Sequence, residues 1–232
     1  MVKLYVCEIS NLIDEIKKDE NALEVYFEKL GQKRIEDILK NKRAEDRARA
    51  LGASLLLLFA LKKEGYKGEK LPDYNYYAKG KPYIFSIEPL KFNISHSENI
   101  ITCVISRREV GVDIERDREM TKATIARVFT ENERKTIVNE SDYIRLWTMK
   151  EAYAKLTGEG ISDILSGLEV IFENGKAKLQ KLNQDIIKTP CHMIIAEGEL
   201  KDSFEKSYFY SVCADTKEVV EHIHLKWDKI KL

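Results

Sequence analysis

The sequence predicts an α+β protein, with helices and antiparallel strands gathered in blocks. Three observations carry this reading. Apolar residues recur at helical spacing over Ala44–Lys63, three short strand-like segments follow between Phe92 and Glu115, and a second helical stretch ending near Leu156 gives way to alternating segments towards the C-terminal end.

Leu4–Ile9 is expected to be a strand, and Asn21–Leu30 and Arg34–Leu39 have short helical character. Leu51, Leu55, Leu58 and Phe59 share one face of the long helix, and Glu45, Asp46, Arg47 and Arg49 make its first turns polar. Residues 65–91 contain three of the four prolines together with Gly80-Lys81-Pro82, and read as a loop-rich connection that could form a lid or binding loop. Phe92–Ser95, Ile100–Ser106 and Val110–Glu115 are separated by short polar turns and suggest a three-stranded meander. Thr130 with Glu133 fits a capping box, Ser141 or Asp142 is placed to cap the next helix, and Gly158 to end it. Tyr208–Ala214 and Val219–Trp227 alternate like strands and are expected to close a second sheet.

At 232 residues, with 44% hydrophobic and 34% charged side chains, the chain is long enough for one large domain or two small ones sharing a core. Acids and bases balance at 39 each, so no global field recruits nucleic acid or an anionic membrane, and any anion site must be local. The longest apolar run, Leu51–Leu61, is too short to cross a bilayer. The N-terminal residues lack the pattern of a secretory signal, which points to a cytoplasmic protein. Cys7, Cys103, Cys191 and Cys213 show neither metal-ligand spacing nor a disulfide-dense pattern and read as reduced thiols.

The chemistry-bearing residues lie in a few blocks. In Val110-Gly-Val-Asp-Ile-Glu115 the strand period sends Val110, Val112 and Ile114 to one face and Gly111, Asp113 and Glu115 to the other. Two carboxylates roughly 6.5 Å apart repel each other unless a cation lies between them, and Mg²⁺ is the natural guest. The alternative is an exposed face bearing two solvated acids. In the helix around Trp147-Thr-Met-Lys-Glu151, Leu146, Met149, Tyr153 and Leu156 form a core stripe. Glu151 and Lys155 fall on another face among Ile144, Trp147, Thr148 and Ala152, so that face is expected to be covered. A plain i,i+4 ion pair is the competing account of Glu151 and Lys155. His96 sits where a strand meets a turn, Arg49 is one turn from Glu45, and Lys81 precedes Pro82; each also has an ordinary structural explanation. His222 and His224 share a strand face and receive no role.

Taken in order, Glu45-Asp46 with Arg49, Gly80-Lys-Pro82, Phe92-Asn-Ile-Ser-His-Ser97, Gly111-Val-Asp-Ile-Glu115 and Trp147-Thr-Met-Lys-Glu-Ala-Tyr-Ala-Lys155 resemble the Sfp-type 4′-phosphopantetheinyl transferases. The resemblance implies a monomer of two similar α/β halves related by a pseudo-twofold, with residues 1–106 contacting the nucleotide and residues 107–232 holding metal and catalytic groups. It implies coenzyme A and Mg²⁺ in the cleft between the halves. By position, Asp113, Glu115 and Glu151 correspond to metal ligands, and His96, Lys150 and Lys155 to groups around the diphosphate, with Ser95 a further cofactor-binding residue. Arg34, Arg49 and Lys81 correspond to basic residues for the adenosine 3′-phosphate and its neighbours. Asp37 and Ala50 depart from the family's nucleotide contacts, and Gly158-Glu-Gly160 is a smaller departure.

The implied activity moves the 4′-phosphopantetheine arm of coenzyme A to a serine of an apo acyl or peptidyl carrier protein and releases 3′,5′-ADP. Glu151, Lys155 and His96 would be the catalytic groups, with Glu151 or a metal-bound water taking the serine proton. Two other functions use the same residues: a Mg²⁺-dependent phosphohydrolase acting on CoA-like diphosphates, and a catalytically silent CoA-binding protein.

Overall fold

The computed structural model describes residues 1–160, 167–174, 176–181, 193–216 and 218–230, so Cys191 lies outside the described residues. Two sheets form the centre. The first has the strand order β11-β1-β5-β4, built from β1 (Val2–Glu8), β4 (Lys91–Ser97), β5 (Ile100–Ser106) and β11 (Val220–Lys226). The second has the order β6-β10-β9, from β6 (Val110–Arg116), β9 (Met193–Lys201) and β10 (Ser207–Asp215). Two small ribbons complete the strands: β2 (Asn75–Tyr76) with β3 (Pro82–Tyr83), and β7 (Leu168–Glu173) with β8 (Lys176–Lys181).

The sheets bury their inner faces against each other. Val2, Leu4, Val6 and Val104 of the first meet Val110, Val112, Ile114, Tyr208 and Val212 of the second, as a two-residue side-chain period requires. Each outer face carries one long helix. Tyr5, Cys7, Ile101, Cys103 and Ile105 pack under α3 (Ala44–Lys63), whose Leu55–Leu58 run is buried all round, as an apolar helix must be. The shorter α1 (Ser10–Lys18) and α2 (Gln32–Leu39) flank it, with a 3₁₀ segment at Glu20–Lys29. On the second sheet lies α6 (Ser141–Thr157), preceded by α4 (Lys122–Val128) and α5 (Glu131–Thr136). The capping box at Thr130 and Glu133 is present in full. Gly158 ends α6 in the left-handed region at φ 71°, donating its N–H to the Ala154 carbonyl at 2.9 Å.

Two expectations are corrected. The segments from 92 to 115 are strands, but they do not form one meander: β5 has β4 on one edge and β1 on the other, so β6 turns away at residues 107–109 and pairs with β10 instead. The last strand does not close the second sheet either. It runs parallel to β1, Val2 opposite Val220, and a final helical turn buries Trp227 and Ile230 against the first core. No helix among the described residues is long and apolar enough to cross a membrane.

Candidate active site

The site lies where the two sheets meet edge to edge. β4 and β6 are not joined by a backbone ladder. Their side chains join them: the Asn93 Oδ1 accepts the Val112 N–H at 3.0 Å, the Ser95 hydroxyl donates to Asp113 Oδ1 at 2.9 Å, and the Ser97 hydroxyl donates to Glu115 Oε2 at 3.2 Å. The polar alternation Asn93, Ser95, Ser97 therefore faces the acids of β6.

From the other side comes α6. Gly111 makes this approach possible: a Cβ there would stand 2.1 Å from the Ala152 carbonyl oxygen and 2.4 Å from the Leu156 nitrogen, so the helix backbone rests directly on the strand. The glycine thus serves a close helix contact. That contact turns Glu151 and Lys155 towards Asp113 and Glu115.

Asp113 is 3% exposed. Its Oδ1 accepts from Lys155 Nζ at 2.7 Å as well as from Ser95, and Lys155 Nζ lies 2.8 Å from the Ser95 oxygen. Its Oδ2 is buried without a hydrogen-bond partner among the described residues, an arrangement that costs desolvation free energy with no return. The Lys155 ion pair is therefore with Asp113 across the seam.

The other two acids feel the same field. Burial raises Glu151 to about 7, reinforced by Asp113 and, more weakly, by Glu115, while Lys155 opposes the rise. Glu115 is also raised, by burial first and then by Asp113, with Arg118 and the Ser97 hydroxyl pulling the other way. His96 is exposed near the end of β4; its imidazole is held below its ordinary value by desolvation first, then by the Arg49 and Lys155 cations. Three acids thus share one electrostatic neighbourhood. Among the described residues no group of three or more His, Cys, Asp or Glu side chains is gathered closely enough to hold a metal ion as it stands.

A groove of about 290 Å³ opens beside these groups, lined by Lys81, Pro82, Asn93, Glu151, Lys155 and Gly158 among others. A second, of about 660 Å³, continues past Lys81 towards Tyr77 and Tyr153. Lys81 forms the wall between them, donating to Glu109 Oε2 at 2.6 Å and to the Leu156 carbonyl at 2.7 Å, where a cation suits the C-terminal end of α6. Arg49 donates to the Glu98 carbonyl at 2.9 Å and pairs with Asp46.

Two sequence expectations are not brought into this cluster. Arg34 lies behind α3, its guanidinium donating to Ser54 Oγ at 2.8 Å and the Ala50 carbonyl at 3.0 Å, and stacked over Tyr74. Lys150 is fully buried on another face of α6, bonded to Glu133 Oε2 at 2.7 Å and the Val128 carbonyl at 2.9 Å. Its neighbour in the chain, Glu151, lies about 100° further round the helix, which is why one faces the groove and the other does not. Two contributors went unread in the sequence, Asn93 and Ser97, although their alternation with Ser95 was a visible signal.

The pattern of the 4′-phosphopantetheinyl transferase superfamily matches residues 109–213. That segment resembles this superfamily. It contains β6, α6 and most of β10, hence Asp113, Glu115, Glu151 and Lys155 together. The chain is also 30% identical over 153 residues to the 4′-phosphopantetheinyl transferase psf-1 of Bacillus pumilus, covering 63% of this chain and 62% of that protein. It is 27% identical over 151 residues to the 4′-phosphopantetheinyl transferase Sfp of Bacillus subtilis strain 168, covering 62% and 63%. With the 4′-phosphopantetheinyl transferase HetI of Nostoc it shares 32% over 119 residues, covering 46% and 50%. The chain thus spans a little over 62% of the length of the first two.

Proposed function

We propose that this protein transfers the 4′-phosphopantetheine arm of coenzyme A to a serine of an apo acyl or peptidyl carrier protein, with 3′,5′-ADP as the other product. The observation that carries the reading is Asp113 at the seam, one carboxylate oxygen held by Lys155 and Ser95 and the other buried and unpartnered, with Glu115 and Glu151 in its field.

The donor set fits a hard divalent cation such as Mg²⁺. A buried carboxylate oxygen without a donor and two further acids with raised affinity for protons are the groups that such an ion relieves. Asp113, Glu115 and Glu151 would hold it. When bound, such an ion neutralises charge on the diphosphate. Lys155, beside Asp113 in this structure, would supply positive charge to the diphosphate oxygens, with His96 a further group near it. The serine Oγ attacks the phosphorus bearing pantetheine, the bond from that phosphorus to the bridging oxygen breaks, and the serine proton passes to the Glu151 carboxylate. The residues act by position and charge, without a covalent enzyme intermediate.

The chain is read as two similar α/β halves, a helix-backed sheet each, meeting near Ser106, with β11 returning to the first half. The monomeric state and a cytoplasmic location belong to the same reading. Incubation with coenzyme A, Mg²⁺ and a panel of apo carrier proteins tests it by mass spectrometry. A carrier that gains one phosphopantetheine arm supports the transferase. Free 4′-phosphopantetheine with unmodified carriers would make the protein a phosphohydrolase, and binding of coenzyme A with neither product would make it a silent binder.

A further inference from the structure

Lys150 is 0% exposed and its ammonium is fully engaged: Glu133 Oε2 at 2.7 Å, the Val128 carbonyl at 2.9 Å, and the Phe129 ring 5.4 Å beneath. Glu133 is 1% exposed and equally committed. Its Oε2 also accepts the Thr130 N–H at 2.8 Å, and its Oε1 accepts the Val170 N–H at 2.7 Å. Thr130 in turn donates its hydroxyl to Glu169 Oε1 at 2.7 Å. One buried charge pair therefore joins the end of α4, the start of α5, the strand β7 and the helix α6.

We infer that Lys150 and Glu133 are positioning residues of the transfer site, fixing the rotation of α6 that aims Glu151 and Lys155 at β6, and that Lys150 does not bind the diphosphate. The inference rests on the transferase reading above. For Lys150 to reach a phosphate in the groove, it would have to abandon Glu133, leaving a carboxylate buried without its cation. The opposite side of α6 is fixed as well, because Gly111 lets the helix backbone rest on β6 with no space for even a methyl group. With one side seated on the strand and the other tied by the ion pair, α6 has one rotation. Residues 151 and 155 are four apart and share a face, so a small turn of the helix would carry both away from Asp113.

The test compares Lys150→Met, Glu133→Gln and the double variant in carrier modification, with coenzyme A affinity measured by calorimetry and the melting temperature recorded for each. The expected result is a fall in kcat of about tenfold or more in each single variant, coenzyme A affinity within about twofold of wild type, and a double variant no worse than the poorer single one. Lys150→Met that weakens coenzyme A binding about tenfold while Glu133→Gln leaves it unchanged would overturn the inference and make Lys150 a phosphate ligand. A lowered melting temperature with unchanged kcat in both would reduce the pair to a fold element. Should the variants not fold, wild-type protein labelled with ¹³C-lysine and titrated with coenzyme A decides: the Lys155 side-chain resonance moves and that of Lys150 stays, whereas equal movement of both overturns the inference. An active wild type with either contrary result sinks this inference alone; an inactive wild type sinks the transferase reading with it.

Discussion

Replacing Lys155 with Met removes the only cation that touches the buried Asp113 among the described residues. Asp113 keeps the Ser95 hydroxyl on Oδ1, and its Oδ2 has no partner to begin with. Breaking a fully buried ion pair costs about 3–5 kcal/mol, but Lys155 is 31% exposed, so water screens part of the loss and about 1–3 kcal/mol is the expected cost. For a chain of this length about 2 kcal/mol lowers the melting temperature by roughly 4–8 °C. The assay is thermal unfolding followed by circular dichroism, with and without Mg²⁺. Because the ion and Lys155 serve the same carboxylate, Mg²⁺ should restore more of the variant's stability than it adds to wild type. A melting temperature within about 1 °C of wild type would refute the view that this pair holds the seam together.

Asp113→Ala should lower carrier modification by about 10²-fold at saturating Mg²⁺, the loss expected when a principal charge-stabilising group is removed; near-normal turnover would take Asp113 out of the mechanism. Glu151 sets a pH dependence. Its folded-state affinity for a proton is raised to about 7 from the ordinary 4.5, so the folded protein retains a proton that the unfolded chain releases. The stability it contributes is complete below about 4.5 and is lost as pH rises to about 7. Metal-free urea unfolding should therefore show stability declining across that window, and Glu151→Gln should flatten the decline; an unchanged slope would mean that another group is responsible. Gly111→Ala forces a Cβ to within 2.1 Å of the Ala152 carbonyl, where only backbone movement can relieve the clash. We expect at least about 1–3 kcal/mol of destabilisation in denaturant melts together with loss of transfer, and a silent substitution would show that α6 does not rest on β6 as described.

Much of the fold was legible because its elements are locally determined. The long helix over Ala44–Lys63, the capping box at Thr130 and Glu133, and the end of α6 at Gly158 follow from periodicity and capping chemistry that each segment carries in itself. Strand partners were not legible. Nothing in Val110–Glu115 says that the edge of β5 it would need is already taken by β1, and nothing in Val219–Trp227 favours the first sheet over the second. The helix α1 also went unread, although Leu12, Ile13 and Ile16 are its buried side. At the site, the strand period placed Asp113 with Glu115, and helical spacing placed Glu151 with Lys155 on a covered face. Lys150 lies away from the groove for a specific reason. Adjacent positions in a motif point about 100° apart on a helix, and only the distant Glu133 reveals where its ammonium goes.

The most direct measurement is a crystal structure of the protein with coenzyme A and Mn²⁺ standing in for Mg²⁺, the ion located by its anomalous scattering. One peak within coordination distance of carboxylate oxygens from Asp113, Glu115 and Glu151, and against the diphosphate, is the expected result. An ion bound elsewhere, or acids that stay apart while coenzyme A is seated, would contradict it.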